Sequence, residues 1–134
     1  MIDEKGVVVD ASAVASWLLP DETNPFVLEK LIETQFHAPW LFWAEIRNIL
    51  IIAERRGRLI KSLFTETVVI LDTISIEFDT IPSSSLVLSL AQNHSLSVYD
   101  SLYLELALRL QHPLCTLDKK LAQVAKYEGI KLIS

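Results

Sequence analysis

The stretch "VVVDASAVASW", Val7 to Trp17, sets three consecutive β-branched apolar residues directly before an acid, Asp10. Three valines without polar alternation read as a strand buried on both faces, the pattern of an inner strand of a parallel sheet. Ser12 through Leu19 suit a helix. Asp10 is thereby expected at the carboxyl end of an inner strand, where the chain turns into a helix. Two explanations stand open for it, a helix cap or a site.

Beyond this stretch the chain alternates helices and strands. A helix is expected over 26–35, after the turn-like "PDETNP", and a short strand around Phe36 to Ala38, ended by Pro39. "LFWAEIRNILIIAERRG" places Ile46, Ile49, Leu50 and Ala53 on one helical face and stops at Gly57. Ile60 to Leu71 read as a helix, "ISIEFDTI" as a strand stopped by Pro82, and Ser84 to Gln92 as a helix. "YDSLYLELALRLQ" is an amphipathic helix, "PLCTL" a strand, "KKLAQVAKYEG" a helix closed by Gly129, and "IKLIS" a last strand. Strands separated by helices require crossovers, so the expected fold is a three-layer α/β/α domain around a central, mostly parallel sheet. In such sheets a ligand crevice opens outside the carboxyl ends of the strands, where Asp10 is expected.

The 134 residues suit one domain, 1–134, with no linker or internal repeat. With 51% hydrophobic and 22% charged residues the composition is globular. The net charge of −5 and a pI of about 5.1 provide no overall basic field for a polyanion, which weighs against a nucleic-acid partner. Cys115 is the single cysteine, so neither an internal disulfide nor a zinc-binding spacing is available; it reads as a small buried hydrophobe. "MIDEK" lacks the positive region of a signal peptide, and the longest uncharged run, Ile81 to Tyr99, contains Pro82, several serines, Gln92, Asn93 and His94. No membrane span is expected, and the expected location is cytoplasmic.

Asp118 repeats the situation of Asp10: an apolar strand, then an acid, then a helix. Asp100 opens the "DSLYLELALRLQ" helix. Each aspartate can be read as an N-cap, favoured by backbone N–H groups and the helix dipole. Asp100 and Asp118 lack a Glu or Gln three residues on, so no capping box supports that reading. Glu45 lies inside a helix beside an apolar stripe, where a solvated edge is the ordinary expectation, and Asn48 is spaced to orient it by hydrogen bonding. If the parallel sheet is right, Asp10 and Asp118 converge, and two further helix starts can reach them. Two carboxylates ~4 Å apart repel by about 4 kcal/mol at an effective dielectric near 20. A hard divalent cation removes that cost and favours oxygen ligands. His37, His94 and His112 are scattered, so Mg2+ or Mn2+ is expected rather than zinc.

"VVVDASAVASWLLPDE", "APWLFWAEIRNIL", "SVYDSLYLELA" and "CTLDKKLAQVAKYEGIKLI" resemble, in order, the four acidic motifs of PIN domains. The resemblance spans almost the whole chain and is closest to VapC-type toxins of prokaryotic toxin–antitoxin pairs. It implies a magnesium-dependent endoribonuclease, usually a homodimer, inhibited by a VapB-type antitoxin. Asp10, Glu45, Asp100 and Asp118 match the acidic catalytic and metal-ligating positions. Ser12 matches the small hydroxyl residue after the first aspartate, Thr116 the threonine two before the last, and Asn48 the asparagine after the glutamate. Lys120 departs from the pattern, standing where some relatives carry another acid.

The residue types suit that chemistry. A cation polarises a phosphoryl oxygen and orients a water, and one carboxylate takes the water's proton. Arg47, Lys119 and Lys120 are candidate contacts for RNA phosphates. Trp40, Phe42 and Trp43 admit base stacking, although core or dimer packing is the simpler reading. Two other functions compete: a receiver-like signalling domain with an acidic magnesium pocket, and a non-catalytic PIN fold used for partner binding. The first needs an acid pair near Asp10 and a phosphate-accepting aspartate after the middle strand, neither of which the sequence places well.

Overall fold

Three valines with no polar neighbour become the middle of the molecule. In the computed structural model, which describes residues 6–21 and 34–133, strand β1 (Gly6–Val9) is buried along its whole length. It lies between β2 (Gln35–Pro39) and β4 (Leu114–Cys115); β3 (Ile76–Asp79) and β5 (Leu132–Ile133) form the edges. The order is β3-β2-β1-β4-β5 and every pair is parallel, Val8 facing His37 on one side and Leu114 on the other. This order differs from the 2-1-3-4-5 arrangement of receiver domains, which removes the receiver-like reading. The chain runs outward from β1 to β3 and then returns to β1's other side. The switch point therefore lies between the carboxyl ends of β1 and β4.

Six helices are described: α1 (Ala11–Leu18), α2 (Phe42–Arg55), α3 (Lys61–Thr73), α4 (Ser84–His94), α5 (Val98–Leu110) and α6 (Lys119–Tyr127). Helices α1, α2 and α3 pack on one another, while α4 packs on α5, which lies against β1, β2 and β4. These are the outer layers of a three-layer α/β/α domain. The expected stripe of α2 is buried at Ile46, Leu50 and Ala53, with Phe42 completing it and Ile49 packed at its margin. Gly57, with φ of +76°, takes the left-handed conformation that closes this helix without a Cβ penalty.

Several boundaries differ from the sequence reading. The helix expected over 26–35 falls outside the described residues except at its end, where Gln35 opens β2. The strand expected over "PLCTL" shortens to Leu114–Cys115, because Thr116 already turns toward Asp10. Helix α5 starts earlier than Asp100: Ser97 is its cap, its hydroxyl accepting the Asp100 amide at 3.0 Å. Asp100 therefore sits in the first turn with its carboxylate free of capping.

A buried acid holds the α4–α5 layer to the sheet edge. Glu105, fully buried in α5, accepts the Ser83 amide at 3.1 Å and Arg109 Nε at 2.6 Å. Arg109 in turn clasps Asp79, at the end of β3, with two hydrogen bonds of 3.1 and 2.7 Å. The same Asp79 accepts the Trp40 amide through its carbonyl at 3.0 Å, just ahead of α2. This chain of bonds sets how α2 leaves the sheet, and with it the position of Glu45.

Candidate active site

At the carboxyl end of β1, Asp10 is the cap of α1, and both of its oxygens are engaged. One oxygen, Oδ1, caps α1 by accepting the Ala13 amide at 3.0 Å and also accepts the Ser12 hydroxyl at 2.7 Å. The other, Oδ2, accepts the Thr116 hydroxyl from the β4–α6 connection. Ser12 and Thr116 are themselves held: the Ser12 Oγ accepts the Leu117 amide at 3.0 Å, and the Thr116 Oγ1 accepts the Asp118 amide at 3.0 Å. The two switch-point loops are thus laced together through Asp10, and Asp118 follows at the cap of α6, accepting the Leu121 amide at 2.9 Å.

Glu45 enters from α2, half-buried, with its Oε1 accepting the Tyr103 hydroxyl at 2.5 Å. Tyr103 lies one turn beyond Asp100 on α5 and is buried. The partner expected for Glu45, Asn48, is exposed and makes no hydrogen bond to it among the described residues. The sequence reading assigned Tyr103 no role; the spacing Asp100-x-x-Tyr103 was the available signal, since i and i+3 share a helix face.

The four acids feel one another. Burial is the largest influence on Asp10 and raises its pKa; hydrogen bonds from Thr116, Ala13 and Ser12 oppose it, and the charge of Asp118 adds to the rise. Burial raises Glu45, against the Tyr103 hydrogen bond, and Asp100 and Asp10 push it further. Asp100 is raised by burial and by Asp118, and lowered by Ser97 and by Lys120. Tyr103 is pushed strongly upward by burial and by Glu45, so it stays a protonated donor. The cluster accumulates negative charge in a partly desolvated place, as a site for a hard cation does.

Among the described residues no group of three or more His, Cys, Asp or Glu side chains is drawn together closely enough to hold a metal ion. The donor set still fits a divalent ion of the magnesium type. All the donors are carboxylate oxygens, they repel one another, and magnesium keeps several waters and takes only one or two carboxylates directly.

The basic candidates separate. Arg47 is committed, its guanidinium 2.7 Å from Asp72 and stacked 4.0 Å from the Trp43 ring centroid. Lys119 is exposed at the start of α6, and Lys120 donates to the Ser95 carbonyl at 2.8 Å. Of the aromatic residues, Phe42 belongs to the core, while Trp40 and Trp43 are about half exposed. Trp40 borders an apolar groove of about 370 Å³ with Val87, Leu88, Val98 and Tyr99, next to Asp100.

Similar folds occur among solved structures, three of which follow. PAE2754 from Pyrobaculum aerophilum is 22% identical with a TM-score of 0.64, covering 89% of this chain and 78% of its own. FitAcB from Neisseria gonorrhoeae is 16% identical with a TM-score of 0.59 and covers 96% of each chain. The PilT N-terminus domain protein SSO1118 from Sulfolobus solfataricus P2 is 16% identical with a TM-score of 0.52, over 96% of this chain and 85% of that one. A comparison with curated protein sequences finds no match. The family model of the PIN domain matches residues 7–127, a span that holds all four acids and both laced loops. By that match and by its fold, the chain belongs to the PIN domain family.

Proposed function

We propose that the protein is a metal-dependent endoribonuclease and the toxin of a VapBC-type pair, with Mg2+ or Mn2+ held by Asp10, Glu45, Asp100 and Asp118. PIN domains are generally nucleases and typically use divalent metal ions. The observation that supports the reading is the lacing of the β1–α1 and β4–α6 turns through Asp10, Ser12 and Thr116 at the switch point, which sets Asp118 at the next helix cap.

A bound divalent ion supplies a polarised phosphoryl oxygen and a water of lowered pKa. The residues supply position and proton traffic. Both oxygens of Asp10 are fixed by Ser12, Ala13 and Thr116, so this carboxylate is the rigid anchor of the site. Glu45 is steered by Tyr103 and has its proton affinity raised by burial. Such a carboxylate is suited to take the proton of an attacking water. Lys119 and Lys120 lie at the mouth beside Asp118 and offer positive charge to RNA phosphates, locally rather than by a basic face. The uncharged groove around Trp40, Leu88 and Tyr99 favours protein contact over a phosphate backbone, which supports a homodimer or an apolar segment of a VapB-type antitoxin there.

Purified protein incubated with a structured RNA tests the reading. Cleavage is expected with magnesium or manganese, and none after chelation. Full activity in excess chelator, or no cleavage of any RNA with metal present, overturns it.

A further inference from the structure

Trp43 holds an aromatic ring at the surface in a fixed pose. It is 55% exposed, yet one face of the indole is covered, with the Arg47 guanidinium 4.0 Å from the ring centroid. Arg47, one turn further along α2, is itself tied down. It donates to the Trp43 carbonyl at 3.0 Å and to Asp72 of α3 at 2.7 Å. The cation–π contact therefore pins the indole, and the surface left to solvent is chiefly the opposite face and the outer edge. Trp43 borders an open recess of about 540 Å³ together with Ala44, Arg47, Asn48 and Glu45. At about 3.6 residues per turn, Ala44 and Asn48 lie between Trp43 and Glu45 around the helix. Ala44 adds little bulk there, and the exposed Asn48 offers an amide that both donates and accepts.

We propose that Trp43 is a base-stacking platform beside the candidate active site and Asn48 its base-edge reader, together taking a nucleobase next to the phosphate that is cut. The inference rests on the nuclease reading above, in which Glu45 takes a proton at that phosphate. Glu45 and Trp43 share one recess, so a nucleotide whose phosphate lies by Glu45 presents its base within reach of the ring. Every base has a π-face, and a ring already pinned loses little side-chain freedom when a base stacks on it. An uncharged indole also holds RNA on a chain whose net charge of −5 provides no basic field. Protein contact suits Trp40, which borders Val87, Leu88 and Val98. Trp43 has Arg47, Asn48 and Glu45 around it instead, surroundings that suit the polar rim of a base.

Two measurements on the same preparations test this. Binding of a short fluorescein-labelled single-stranded RNA is followed by anisotropy in chelator, and cut sites in a mixed-sequence RNA pool are mapped with Mg2+. Trp43→Ala should bind the RNA roughly tenfold more weakly, the loss of one stacked base, and Trp43→Phe should fall between it and the parent. The parent should cut with a base preference beside the scissile phosphate, which Trp43→Ala and Asn48→Ala both flatten. Melting curves confirm folding, and light scattering gives the oligomeric state. A parent that cuts RNA while Trp43→Ala keeps its affinity and its cut pattern overturns the proposal and leaves the nuclease reading intact. So does a Trp43→Ala protein that changes oligomeric state with RNA affinity unaltered, which assigns the ring to a protein contact. A parent that neither binds nor cuts RNA overturns both.

Discussion

Replacing Asp118 by serine and, separately, by alanine divides what its carboxylate does for the fold from what it does for the site. In the structure its Oδ1 caps α6 by accepting the Leu121 amide at 2.9 Å. A serine hydroxyl can accept the same bond, so Asp118→Ser should stay within about 1 kcal/mol of the parent. Alanine cannot, and loss of a cap costs about 1 kcal/mol, or a melting point lower by about 3–5 °C in a domain of this size. Both substitutions also relieve the repulsion that Asp118 exerts on Asp10 and Asp100, which offsets part of the loss when metal is absent. Function should behave differently. A carboxylate that positions the cation carries about 3–5 kcal/mol of barrier lowering, or roughly 10²–10⁴-fold in rate. Both variants should therefore be equally inactive although their stabilities differ. Melting curves in chelator and initial rates on a fluorogenic RNA hairpin, taken on the same preparations, read the two effects. A stable and fully active Asp118→Ser protein refutes the ligand role; one as destabilised as Asp118→Ala refutes the cap equivalence.

Three further expectations follow from contacts already described. Tyr103→Phe leaves Glu45 without its hydroxyl donor, at a cost of about 1–2 kcal/mol in urea unfolding, and should weaken Mn2+ binding as well as slow cleavage; parental Mn2+ affinity in this variant would deny Tyr103 its steering role. Glu105→Ala strips a fully buried carboxylate from Ser83 and Arg109, and should cost about 3–5 kcal/mol by the same measurement; a loss under about 1 kcal/mol would show that the clamp contributes little. Asp10, Glu45 and Asp100 hold protons more tightly in the folded, metal-free protein than in the unfolded chain. From about pH 4 up through the raised folded values, the native state binds more protons, so these three groups make stability fall as pH rises. Asp100→Asn should flatten that dependence relative to the parent in melts run in chelator upward from about pH 4, and an unchanged slope would rule out the effect at this residue.

Much of the architecture was legible because its signals are local. Three adjacent valines can only be an inner strand, and the stripe Ile46, Ile49, Leu50, Ala53 can only be one helical face. Asp10 and Asp118 were legible for the same reason, each ending an apolar run where a helix begins. What escaped depends on partners far away in the chain. Thr116 leaves its strand because its hydroxyl is drawn to Asp10, a contact spanning 106 residues that no local window contains. Tyr103 was masked because a buried tyrosine looks like any apolar residue until its hydroxyl finds Glu45. Asp100 was placed at the opening of its helix, whereas Ser97, three residues earlier, is the cap. Arg47 looked available for RNA, but Asp72, 25 residues on, takes its guanidinium.

The central position of β1 also governs when the candidate site can form during synthesis. The first described strand gains its second neighbour only when β4 arrives, and the Asp10 amide is bonded to the Cys115 carbonyl at 3.2 Å. Until then a fully apolar strand has one open side, and Asp10 lacks Thr116 and has no Asp118 beside it. Contacts of such long sequence separation form late and slowly. The candidate site therefore stays unformed until Leu114 and Cys115 have been made. A product truncated before Leu114 would hold three of the four acids and still lack the strand that brings them to order. Premature termination or early proteolysis would leave an aggregation-prone fragment rather than a partly formed site, with the open flank of β1 as its adhesive edge.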